Sequence, residues 1–136
     1  MPRSTKIYGL DTSVFVRFLT GHPEVDFERT VKALKKRHER NRSGEFVVSN
    51  QVIGEAYITL QHFYKISKAD ARKAMLQLFE RGSLRPLNGE PILQLLQDNK
   101  GAGLLHRLIA QDYAQQDAIT LTNDKKMTKL DGVERL

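Results

Sequence analysis

The chain has 136 residues, 40% of them hydrophobic and 28% charged, the composition of one ordinary globular domain large enough for a real core. It contains no cysteine, which excludes disulfides, thiolate metal sites and cysteine nucleophiles and fits a reducing, cytoplasmic location. The 22 Lys and Arg against 16 Asp and Glu leave a net charge of +6, favouring a polyanionic partner, of which nucleic acid is the commonest.

Lys6 to Leu10 reads as a short buried strand. It ends at Asp11, so it is too short for a signal peptide or a membrane span, and no membrane partner is expected. A helix follows from about Thr12 and stops near Gly21, with Pro23 beyond. Glu24 to about Arg42 has the pattern of a long polar helix, with Phe27, Val31 and Leu34 at helical spacing. It also carries the longest basic run: Lys32, Lys35, Lys36, Arg37, Arg40 and Arg42. Such a run reads either as a solvated face or as a phosphate-binding patch.

Glu45 to Val48 is a second strand, after which Ser49 or Asn50 can cap a helix with Val52, Ile53, Ala56, Leu60 and Phe63 on its apolar face. Ser67 caps a run from Lys68 to Arg81 that ends at Gly82. Leu84 to Leu87 contains Pro86, which suits only an edge strand. Glu90 to Gln97 and Leu104 to Gln115 are helical in pattern, separated by a loop over residues 98–103. Ala118 to Thr122 is the clearest strand of the second half. A helical turn from Lys125 to Leu130 and an edge strand at Val133 to Leu136 complete the pattern. Strands alternating with helices predict a parallel sheet with right-handed crossovers in a single α/β domain spanning residues 1–136.

Three acidic segments stand out, each joining an apolar run to a helix-like run: IYGLDTSVFVRFL with Asp11, FVVSNQVIGEAYITL with Glu55, and AITLTNDKKM with Asp124. Asp11 and Asp124 follow strands, where an open parallel sheet places its ligands beyond the carboxyl ends. Either could instead cap the helix that follows. Glu55 lies at the margin of an apolar helical face, where a carboxylate is partly buried and needs a partner. Carboxylates gathered at one sheet edge repel unless a cation lies between them, and carboxylate oxygens suit hard cations such as Mg²⁺ or Mn²⁺.

With these segments the chain resembles the PIN-domain family, and within it the VapC-like toxins of prokaryotic toxin–antitoxin pairs. The resemblance rests on Leu10-Asp11-Thr12-Ser13, Ser49 through Glu55, Leu108-Ile109-Ala110 and Leu121-Thr122-Asn123-Asp124. It implies a three-layer α/β/α fold with a central parallel sheet of four to five short strands. It also implies a ribonuclease that hydrolyses phosphodiester bonds in RNA with Mg²⁺ or Mn²⁺. Asp11, Glu55 and Asp124 then correspond to the catalytic, metal-binding acids. Thr12, Thr122 and Asn123 become polar companions that orient a carboxylate or bind metal-bound water. Lys125, Lys126 and Lys129 lie just past Asp124, placed for an RNA backbone. A homodimer and a cognate antitoxin are the partners the resemblance implies.

One position departs from the family pattern. The family has an aspartate two residues before the apolar triplet of the late helix, and His106 stands there, followed by Arg107. Either an acid is lost and the metal site weakened, or His106 takes a ligand place, which suits Mn²⁺ better than Mg²⁺. Asp98 and Asp112 are the nearest spare acids, the first in a glycine-bearing loop and the second facing elsewhere on the helix. Tyr57, Phe63 and Tyr64 read as core or dimer packing, and His22, His38 and His62 as surface residues. The competing reading is a PIN-like module that has lost catalysis and binds RNA or protein. A phospho-receiver-like domain fits less well, because it wants acids paired at the end of the first strand and Asp11 stands alone there.

Overall fold

The computed structural model describes residues 6–40, 45–98 and 103–136. Its elements run β1 (Ile7–Gly9), α1 (Thr12–Thr20), α2 (Glu24–Arg40), β2 (Glu45–Val48), α3 (Asn50–His62) and α4 (Lys68–Glu80). There follow β3 (Arg85–Pro86), α5 (Pro91–Gln97), α6 (Leu104–Ala114), β4 (Thr120–Thr122), a 3₁₀ turn at Met127–Lys129 and β5 (Val133–Arg135). The chain is thus a mixed α/β protein. The expected end of α2 at Arg42 and most of the loop at 98–103 lie outside the described residues.

Local chemistry sets most element ends. Ser49 and Ser67 have extended backbones, and their hydroxyls accept from the backbone N–H groups of Val52 and Asp70 at 3.2 and 3.1 Å. Each satisfies a donor that the first helical turn leaves unpaired. At the other end of α1, Gly21 takes a left-handed φ of 68° and donates to the Arg17 carbonyl, a conformation that costs a residue without Cβ nothing. Pro91 opens α5, where its missing N–H has no helical role.

Every strand pair is parallel. In the first sheet, ordered β1-β2-β3, Gly9 faces Val47 and Val48 faces Pro86. Pro86 sits on the edge strand, as its missing donor requires. β4 and β5 form a separate two-stranded sheet, with Thr120 opposite Val133. Among the described residues the five strands therefore divide three and two, and no ladder joins β4 to β1. The division leaves Ile7 and Leu121 more than half exposed.

The main core lies between the helices and the first sheet, where Phe15, Val48, Ile53, Leu60, Met75 and Ile92 are fully buried. Phe15 stacks on Phe79 with ring centroids 5.7 Å apart. A smaller cluster of Ala110, Met127 and Val133 holds β5 and the 3₁₀ turn to α6. Tyr57 is core and Tyr64 packs against it, whereas Phe63 is 76% exposed. α2 buries none of its residues completely. It is held through Phe18–Phe27 edge contact at 6.0 Å and an Arg17–Asp26 ion pair at 3.7 Å. Among the described residues no helix is long and apolar enough to cross a membrane.

Candidate active site

Because β1 and β2 run parallel and in register, their carboxyl ends release the chain at one sheet edge. There the Leu10 N–H donates to the Val47 carbonyl at 3.0 Å, and the chain turns at once into α1. Asp11 is the N-cap of that helix, its Oδ1 accepting from the Thr12 N–H at 2.8 Å. Thr12 Oγ1 in turn donates to Glu55 Oε2 at 2.5 Å, across 43 residues of sequence. Gln51, one helical turn before Glu55, donates to Glu55 Oε1 at 3.3 Å. Glu55 is exposed rather than partly buried, because α3 turns it towards the start of α1 and away from its own apolar face. The capping and metal-binding readings of Asp11 are compatible: the cap uses Oδ1, and among the described residues Oδ2 has no hydrogen-bond partner.

Asp124 closes the turn after β4. Its Oδ1 accepts from the backbone N–H groups of Lys126 and Met127 at 2.8 and 3.1 Å, and its own N–H donates to Thr122 Oγ1 at 3.0 Å. Its Oδ2 lies 3.9 Å from His106 Nε2. These contacts hold the carboxyl below the usual carboxylate range. The Met127 N–H is the main cause, partial burial opposes it, and the Lys126 N–H and the charges of His106 and Lys126 add to it. A carboxyl with a lowered folded-state pKa contributes stability above its unfolded value and loses it as the pH falls through the folded value. Amide exchange at Lys126 and Met127 is therefore expected to stay protected through mildly acidic pH. It should rise only below the ordinary carboxylate range, and a rise already between pH 7 and 5 would contradict this.

The helices that carry Glu55 and His106, α3 and α6, pack against each other. A Cβ placed on Gly54 would lie 2.9 Å from Leu105 Cδ2, so α3 and α6 pack closely where glycine leaves room. The next residues along the two helices are Glu55 and His106. The structure thus joins Asp11 to Glu55 through Thr12, and His106 to Asp124 directly. Among the described residues no group of three His, Asp or Glu side chains is assembled that could hold a metal ion. The donor set nonetheless suits a hard cation in kind, being carboxylate oxygens. Asn123, Lys125, Lys126 and Lys129 are exposed around Asp124.

The spare acids are occupied elsewhere. Asp98 lies 3.1 Å from Nη1 of the buried Arg107, which also donates to the Asp98 carbonyl at 3.1 Å. Asp112 belongs to a polar cluster absent from the sequence expectations. Asn50 Nδ2 lies within 2.8 Å of Asp112 Oδ1 and Gln111 Oε1 and donates to the Leu108 carbonyl at 3.2 Å. Asn88 Nδ2 reaches the same two side chains at 2.7 Å. The signal lies in the pair Ser49-Asn50: serine takes the cap, which frees the asparagine to tie the start of α3 to α6. Asn50 is buried, so Asn50→Ala is expected to cost about 1–3 kcal/mol, read by urea denaturation. A loss within about 0.5 kcal/mol, the range of surface changes, would show that the cluster is not a tie.

No family model matches the chain, and no curated protein matches it.

Proposed function

We propose that the chain is a PIN-like, divalent-metal-dependent ribonuclease acting as the toxin of a toxin–antitoxin pair. The observation that carries this reading is the Thr12–Glu55 hydrogen bond, which brings the first two acids to the carboxyl edge of a parallel sheet. The His106–Asp124 approach at the end of another parallel strand supports it. Asp11, Glu55 and Asp124 would hold Mg²⁺ or Mn²⁺, which when bound neutralises phosphate charge and lowers the pKa of an attacking water. Thr12 would fix the Glu55 carboxylate, and the turn at 124–127 holds the Asp124 carboxyl below the usual carboxylate range. Lys125, Lys126 and Lys129 would take the phosphates of a single strand.

The finer architecture belongs to the same proposal: a three-layer fold in which β4 continues the first sheet beside β1, each strand having an edge to offer. So do the cytoplasmic location, the antitoxin and the homodimer. For the homodimer, Ile109 and Tyr113 of α6, with Ile119 just before β4 and Leu121 within it, are exposed apolar residues for a second copy to cover. The test is cleavage of a fluorogenic single-stranded RNA with Mg²⁺, with Mn²⁺ and with EDTA. Cleavage that appears with either metal and disappears with EDTA is expected, whereas no cleavage with either metal sinks the proposal.

His106 favours a second reading, in which the chain is a catalytically weakened or inactive RNA- or protein-binding module. An imidazole where the family has a carboxylate leaves one hard oxygen donor fewer beside Asp124. RNA binding that survives EDTA, without cleavage, would select it.

A further inference from the structure

At the end of the first sheet opposite the acids, α2 lies against the body of the protein with none of its residues fully buried. Its apolar stripe of Phe27, Val31 and Leu34 is only half-buried and faces Phe18 of α1, Phe46 of β2 and Leu84 before β3 across a groove of about 560 Å³. That volume lies within the range of small-molecule sites, about 300–1,000 Å³. Water in such a space would lie against phenyl and leucine side chains, the contact that apolar solutes relieve.

The rim is basic. Among the described residues Glu45 is the only carboxylate lining the groove, and Arg85 binds its Oε2 with two hydrogen bonds at 2.8 and 2.6 Å. Lys35 and Arg81 also line the groove, are exposed, and have no acidic partner among the described residues. The site is therefore apolar within and carries two uncompensated positive charges at its mouth.

We propose that this groove binds a single-chain amphiphilic carboxylate, such as a medium-chain fatty acid free in solution. The chain lies against Phe27, Leu34, Phe46 and Leu84, and the carboxylate sits between Lys35 and Arg81. Bidentate capture by the Arg81 guanidinium suits a carboxylate. A sugar–phosphate chain finds charge at the rim but only apolar surface within, so RNA is not the occupant. The site is independent of the nuclease reading, since none of its residues belongs to the acid cluster.

The test is an NMR titration of the whole chain with decanoate below its micelle concentration, with decanol as the neutral analogue. Decanoate is expected to shift the amides of the groove residues saturably, and decanol to bind about tenfold more weakly. The Lys35→Gln/Arg81→Gln variant, altered only at exposed side chains, is expected to lose about tenfold in decanoate affinity while its spectrum elsewhere stays that of the wild type. Absence of saturable shifts, shifts centred outside the groove, or equal binding of decanol and decanoate would each overturn the proposal.

Discussion

Asp11→Asn is expected to lower metal-dependent RNA cleavage at least about a hundredfold while leaving stability within about 0.5 kcal/mol of the wild type. The two halves of the expectation come from the two oxygens of one side chain. Oδ1 caps α1 through the Thr12 N–H, and asparagine caps about as well as aspartate. The negative charge is what a divalent cation needs, and a metal supplies several kcal/mol of transition-state stabilisation, of which about 2.7 kcal/mol is a factor of a hundred. Thermal unfolding beside a single-turnover cleavage assay separates them. Equal loss of stability and activity would make Asp11 a cap and nothing more. Unchanged cleavage would place the chemistry elsewhere.

His106→Asp is expected to raise Mg²⁺-dependent turnover and to tighten Mg²⁺ binding by roughly 10- to 100-fold, the range seen when supporting groups of a metal site are altered. In the wild type the imidazole lies 3.9 Å from Asp124 Oδ2. A carboxylate there instead repels Asp124 until a cation arrives, so the metal-free variant should be less stable and gain more from Mg²⁺. Thermal midpoints with and without Mg²⁺ read both effects. His106→Ala, in turn, should change cleavage little. An aspartate variant no better than wild type, together with a damaged alanine variant, would instead make His106 a ligand.

Element boundaries are legible in this sequence because their causes are local. Ser49, Ser67 and Gly21 end or begin helices through hydrogen bonds and φ values decided within four residues, and Pro86 announces an edge strand by lacking a donor. The sites of Asp11 and Asp124 after strands are legible for the same reason. What is not local is hidden. The split of the strands into three and two depends on which edges meet, and β strands of two to four residues carry too little pattern to decide it. The stripe of α2 marks a helix but not how deeply it packs, so the groove beneath it has no signature. In the sequence Asn50 is a second candidate cap, and only the fold shows that its amide reaches α6. The place of Glu55 on one helical wheel predicts partial burial, whereas its partner comes from another helix altogether.

On the function proposed above, Asp11, Glu55 and Asp124 hold one divalent site between them. Mn²⁺ titration followed by electron paramagnetic resonance tests it most directly, because it reads metal occupancy without requiring an RNA substrate. The wild type should bind Mn²⁺ saturably, and Asp11→Asn, Glu55→Gln and Asp124→Asn should each weaken that binding by at least about tenfold. Wild-type protein that takes up no Mn²⁺, or three variants that bind it as tightly as the wild type, would contradict the claim.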